Sequence, residues 1–299
     1  MVALLVGLRF RLLRRGLAGP SRHRVAVAIV SFLFTAPVCL VLLVLGGTDL
    51  VMARAMTVLI GFSLMLAWIW LPLVLTGTDD ALSPGRFALL PLSAFRLLPG
   101  LYVAGLIGLG SALSILVALC SVVGWARSVP TFIAGVVGAL LGVVTATLIP
   151  HLLTTVFAGA LGSRRFRDLT GLAVVGFAVG ITIVMQVASS AISHTNGPEA
   201  VVGALDHAAT VLSWTPFGAA WVLPADVAQG DMAAALGHFA LAVGTLAALV
   251  VGWWAALRRA LTTPLDVPDV VGRVTRESAI DRWFSGSTTA VIAGRLLRY

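Results

Sequence analysis

Residues 76–101 read TGTDDALSPGRFALLPLSAFRLLPGL. Two adjacent acids, Asp79 and Asp80, and three prolines, Pro84, Pro91 and Pro99, interrupt a chain that is strongly apolar on both sides. Residues 55–78 before it and 97–126 around its end carry no charged side chain. An uncharged apolar run of about 20 residues is long enough to cross the hydrocarbon core of a bilayer as a helix. The stretch therefore reads as a polar connection between two spanning helices.

The rest of the chain repeats this arrangement. Of its 299 residues 59% are hydrophobic and 11% charged, with a mean hydropathy of +1.04; a soluble domain carries about 25% charged residues. Uncharged intervals recur at 25–48, 55–78, 97–126, 128–163, 169–198 and 232–257. The longest is too short for two crossings and a turn, so each predicts one helix. The expected fold class is an all-α polytopic membrane protein with six transmembrane helices, near 25–46, 55–76, 101–123, 132–159, 169–191 and 239–257. Solid apolar runs argue against a spanning β-barrel, whose strands alternate in polarity.

Arginine sets the orientation. The sequence contains no lysine, and all 20 basic residues are Arg. With the N-terminus inside, segments 1–24, 77–100, 160–168 and 258–299 hold 6, 2, 3 and 7 of them, leaving only Arg54 and Arg127 outside. This is the positive-inside asymmetry. It predicts a multi-pass protein of the plasma (cytoplasmic) membrane with both termini cytoplasmic. The net charge of +8 then needs no nucleic-acid partner; it marks topology and attraction to anionic membrane lipid.

The N-terminal segment VALLVGLRFRLLRRG mixes charge into its apolar run, so it is not a cleavable signal peptide. Arg11, Arg14 and Arg15 share one helical face opposite leucines, which predicts an interfacial helix over 2–18; a basic leader that only fixes topology is the plainer reading. Small residues recur every four positions at Ala134, Gly138, Gly142 and Ala146, at Ala104, Gly108 and Ala112, and at Gly176 and Gly180. Such spacing lets helix backbones approach closely. Pro37, Pro72 and Pro150 are expected to kink their spans.

No intrinsic catalytic site is expected. Intramembrane enzymes and ion-coupled carriers place ionisable groups within their spans, and here every acid falls outside the expected ones. His151 is the one imidazole well inside an expected span, and a lone His there fits packing or a backbone bond. GLGSALS at 108–114 has no convincing base partner for its serines. No metal site is expected either: Asp79 and Asp80 lack a second acidic cluster on their side, and Cys39 and Cys120 are too few. Active transport would need energy from elsewhere. A P-loop requires a lysine that reaches the phosphates, so ATP hydrolysis would have to occur on a separate subunit.

The opening stretch is then a cytoplasmic connection. Ser93 can cap a short helix, SAFRLL, ending at Pro99 and Gly100, and Pro91 holds the preceding residue extended. GSRRFRD at 162–168 is a compact basic tip on the same side. Both also fit ordinary connections lying on the membrane surface.

The pattern TGTDDALSPGRFALLPLS followed by a further span resembles the permease subunits of ABC-type exporters of the second type. An interfacial helix before the spans, an external excursion at 192–238 with Val201, Leu205 and Leu212 on one helical face, and WTPFGAAWVLPADVAQGD before the last span are similar to the same family. The resemblance implies external re-entrant helices within 192–238 and a coupling loop at 77–100 that docks on a cytosolic ATPase. It assigns ATPase coupling to Asp80, Arg86, Pro91, Leu92, Ser93, Phe95 and Arg96, and with less support to Arg164 and Arg165. It places candidate cargo-cavity residues at Trp68, Trp70, Met185, Gln186 and Ser189, although the tryptophans also fit packing or interfacial duty.

The implied partners are two ATPase subunits per complex, carrying ATP and Mg with no cofactor on this chain, and a second permease half. Residues 1–258 would form the transmembrane domain. In the 259–299 tail, Arg295–Arg298 repeats the RLLR of Arg11–Arg14, as an entry helix to a fused second half would. The implied function is outward movement of an amphipathic drug, antibiotic or lipid-like cargo. A membrane scaffold or assembly factor without transport is the alternative.

Overall fold

The uncharged runs fold as helices because in lipid each backbone N–H and C=O must be bonded within its own segment. The structure is a computed structural model that describes residues 22–74, 94–106, 108–156 and 198–262. These comprise α1 (Arg22–Val44), a 3-10 turn (Leu45–Gly47), α2 (Leu50–Val74), α3 (Ala94–Leu106), α4 (Leu109–Gly124), α5 (Val129–Val156), α6 (Pro198–Ser213), α7 (Ala219–Gln229) and α8 (Met232–Thr262). The described residues contain no strand, and all belong to one compact unit that closes at Thr262.

Among the described residues three helices are long and apolar enough to cross a membrane: Leu50–Trp70, Val129–Val156 and Met232–Leu261. The count there rises to four if α3 and α4, which meet at 77°, form one bent span. The described residues thus carry three or four of the six expected spans. The expected span at 25–46 coincides with α1, whose Ser31–Gly47 portion is a shorter apolar helix. The span at 169–191 and the interfacial helix at 2–18 lie outside the described residues.

Three boundaries differ from the sequence reading. The span at 101–123 is broken at 107–108, within a glycine-rich GLIGLG run that weakens helix propensity. Ser111 Oγ donates to the carbonyl of Gly105 across the break (3.2 Å). The short helix expected to end at Pro99 continues to Leu106. Pro99 is only the sixth helical residue, so its missing N–H removes a single bond near the end, and Leu98, Leu101 and Ala104 anchor the helix in the core. The last span begins at Met232 instead of 239, because Asp231 caps it: its Oδ1 accepts from the Ala234 N–H at 2.9 Å. Pro37 and Pro150 lie inside α1 and α5 without ending them.

α5 packs against α2, α4, α7 and α8. Into this arrangement α7 is wedged, with Ala219–Asp226 all buried. Gly61, Gly138 and Gly142 make room for it: a methyl on Gly61 or Gly142 would meet the Trp221 ring, and one on Gly138 would overlap the Ala220 carbonyl oxygen. Pro224 has no N–H to offer that carbonyl, which instead faces the bare Cα of Gly138. Gly230, in the left-handed region (φ 77°), ends α7, and Asp231 starts α8 directly after it.

Polar handles on the aromatic side chains fix the register between helices. Trp68 Nε1 donates to Ser114 Oγ (2.8 Å), Trp125 Nε1 to Thr57 Oγ1 (2.9 Å) and Trp253 Nε1 to Thr155 Oγ1 (3.1 Å), while Tyr102 shares a hydrogen with Thr147 (2.9 Å). Each of these hydroxyls also donates to the carbonyl four residues earlier in its own helix. Ser and Thr thus serve neighbouring helices without leaving a bare polar group in an apolar setting.

Candidate functional site

Phe95 is the one expected ATPase-coupling residue whose side chain falls among the described ones. It occupies the first turn of α3 and is 77% exposed. Three residues on, Leu98 is buried with Leu101, Leu148, Trp253 and Leu257. α3 is therefore anchored on one face and presents Phe95 on another, at the end of the bundle where α8 carries Arg258 and Arg259. Arg96 follows Phe95 in the same helical turn. Asp80, Arg86, Pro91, Leu92, Ser93, Arg164 and Arg165 lie outside the described residues.

Of the candidate cargo-cavity residues, Trp68 packs between α2 and α4. Its indole bonds Ser114, and its ring lies where a methyl on Gly110 would sit 3.0 Å away. Trp70 is half-buried at the same end of α2. Met185, Gln186 and Ser189 lie outside the described residues.

His151 sits at the helix break. Its ring stacks on Trp253 (centroids 5.2 Å apart, 19° between planes), meets Tyr102 edge-on at 6.2 Å, and occupies the space that a side chain on Gly105 would need.

The two arginines left outside by the positive-inside count both have partners. Arg54 lies 3.6 Å from Asp206 of α6. Arg127 donates to the carbonyls of Leu45 and Thr48, closing the C-terminal end of α1, and lies over the Trp125 ring (5.5 Å). Cations at a helix C-terminus favour its exposed carbonyls.

One buried ionisable pair was not anticipated from the sequence. Asp226 of α7 falls in the external excursion expected at 192–238, outside the expected spans, and His238 at its end was not singled out. Their side chains are 3% and 1% exposed, with Asp226 Oδ2 and His238 Nδ1 2.7 Å apart. The reason is the tight turn at Gly230 and Asp231, which folds α8 back beside α7 so that residues twelve apart face each other. Trp214, in the turn after α6, lies across the imidazole with ring centroids 4.1 Å apart. His238 Nε2 is buried without a hydrogen-bond partner, an arrangement that costs about 1–3 kcal/mol. The available signal was His238 inside an interval counted as uncharged, preceded by the helix-stop, helix-start pair Gly230–Asp231.

Among the described residues no group of three or more His, Cys, Asp and Glu is placed to hold a metal ion. An Asp–His pair can also serve as a general base, which requires a nucleophile within reach of the free nitrogen. Here Nε2 has no hydrogen-bond partner among the described residues. No protein-family model, curated protein or solved structure matches the chain.

Proposed function

We propose that the chain is a membrane-embedded permease half that works with a second permease half and two separate cytosolic ATPase subunits, and that it moves an amphipathic cargo outward. The observation that carries this reading is the setting of Phe95. It is a large aromatic side chain, 77% exposed, on a short helix whose next turn is buried in the bundle. Exposed aromatics on a rigid support act as interface anchors, and such anchors carry about 2 kcal/mol or more. A push on Phe95 would travel along α3 to the break at 107–108, where the chain bends by 77° into α4. The sequence supports an external energy source, since a chain without lysine has no P-loop. The arginine asymmetry supports a cytosolic Phe95 end, where ATP and Mg on the partner would be available.

The test is purification of the full chain from its native membrane and reconstitution with the ATPase that co-purifies with it, which the reading requires. Phe95→Ala should insert normally, bind the ATPase at least about tenfold more weakly, given an anchor of about 2 kcal/mol, and lose cargo-stimulated hydrolysis. Arg96→Ala should matter less if the arginine stays at a solvated rim. Wild-type binding and stimulation in the Phe95→Ala, Arg96→Ala double variant would remove the basis of this reading and leave a scaffold or assembly role.

A further inference from the structure

We propose that Cys39 of α1 and Cys120 of α4 form a dithiol–disulfide clasp, a site that a disulfide oxidant closes and a thiol reductant opens. The chain has two cysteines in all, so one intramolecular bond is possible. Both are free and buried, and both belong to one apolar cluster with Leu42, Leu45, Val117 and Trp125. The side chain of Cys120 is a hydrogen-bonding neighbour of that of Cys39.

The backbones around the pair are close enough to be bridged. A disulfide needs Cα atoms about 4.4–6.8 Å apart. One turn beyond the thiols the two helices touch through their main chains: a methyl on Gly124 would overlap the Leu42 carbonyl oxygen, and one on Gly46 would lie 3.5 Å from the Gly124 carbonyl oxygen. The contacts run in parallel, 39 with 120 and 42 with 124, so the register that brings these backbones together also aligns the thiols.

The pair lies near the end of both helices. Cys120 is four residues before the end of α4, about 6 Å of helix, and Cys39 is five before the end of α1. Arg127 closes that end by donating to the carbonyls of Leu45 and Thr48. A small oxidant entering from this polar rim has little more than one turn to cross. What the clasp holds is α1. Among the described residues this helix packs mainly on α4, while its Phe32, Leu33, Phe34 and Leu40 are exposed. A covalent bond at 39–120 therefore fixes an element that is otherwise docked through one main interface.

Closure is two thiol–disulfide exchanges. The first cysteine sulfur displaces one half of the oxidant, forming a mixed disulfide and releasing one thiol. The second cysteine sulfur then displaces the other half. One S–S bond forms in the chain and one breaks in the oxidant, which leaves as two thiols carrying the two electrons and two protons.

The experiment uses the wild-type full chain, reduced and held in lipid nanodiscs, with dipyridyl disulfide as the probe. The chain should lose two hydrogens by mass, release two thiopyridones and yield a cross-linked peptide joining residues 39 and 120. Cys39→Ser and Cys120→Ser should each stop at a mixed disulfide with one thiopyridone released. Two stable mixed disulfides on the wild-type chain, a bond between chains in place of the internal one, or no reaction would overturn the proposal. The oxidised wild type should also need a higher fraction of denaturing detergent to unfold than the reduced protein, and dithiothreitol should remove the difference. Equal midpoints would show that the bond does not hold α1 and would refute the clasp.

Discussion

Replacing Gly138 with alanine sets two physical effects against each other. In an exposed helix the change stabilises by about 1 kcal/mol, because alanine is the better helix former. Here the added methyl would overlap the carbonyl oxygen of Ala220. That oxygen belongs to the backbone of a helix buried on all sides, so it cannot rotate away; α7 or α5 must shift. Overpacking of a tight interior costs about 1–3 kcal/mol, and more where backbone has to move. The clash therefore wins, and Gly138→Ala should destabilise by about 1–2 kcal/mol net.

Gly142 provides the contrast. Its methyl would lie 2.7 Å from Cζ2 and 2.8 Å from Cε2 of Trp221, side-chain atoms that can be removed. Trp221→Phe should thus relieve Gly142→Ala but not Gly138→Ala, a coupling that a double-mutant cycle isolates. The assay is reversible unfolding of the full chain in mixed micelles, followed by helical circular dichroism. A Gly138→Ala protein as stable as wild type, or more stable, would refute the seating of α7 against α5, since helix propensity without a clash predicts a gain of about 1 kcal/mol.

Other outcomes follow from the same packing. Cysteine introduced at His207, exposed on α6, should react with an impermeant thiol reagent from outside, and cysteine at Phe95 should not; the native Cys39 and Cys120 are buried and can be replaced to clear the background. Labelling at 95 alone would reverse the orientation. Trp125→Phe removes a donor from a fully buried site and should cost about 1–2 kcal/mol. Thr57→Val should cost a similar amount, and the two together less than their sum, because they break the same 2.9 Å bond. Additive losses would show that the bond carries no stability.

The charge-free intervals made helices legible because lipid leaves an apolar chain few other choices. They did not mark where a helix breaks. GLIGLG carries no charge, so the bend at 107–108 is invisible to a count of charges, although its three glycines were in view. The small-residue repeat of α5 was legible as a packing surface, and Gly138 and Gly142 are buried. Its partner was not legible: those glycines receive α7, a helix too short to register as a span. In the other repeat Ala104 is fully buried while Gly108 falls at the break and Ala112 is exposed, so the fourfold spacing there does not continue as one face. The Asp226–His238 pair was hidden for a different reason. A count of formal charges passes over His238, and Asp226 fell outside the expected spans; only the Gly230–Asp231 turn reveals that they meet.

Several positions depart from the rules that a consistent sequence follows, and departures of this kind are frequent at working sites. Phe95 is an exposed aromatic, as Phe32, Phe34 and Trp214 are; His238 Nε2 and Trp221 Nε1 are buried without a partner; and the chain bends between α3 and α4. α8 joins two of them. It carries His238 near its start, and near its end it carries Trp253 and Leu257, which pack with the Leu98 that follows Phe95 by three residues. At about 1.5 Å of rise per residue, the fifteen residues from His238 to Trp253 make a rod of about 22 Å between the Asp226–His238 pair and the base of α3. A rigid helix cannot absorb displacement along that length, so a change in how α7 and α8 meet at one end must be taken up by the contacts of Trp253 and Leu257 at the other.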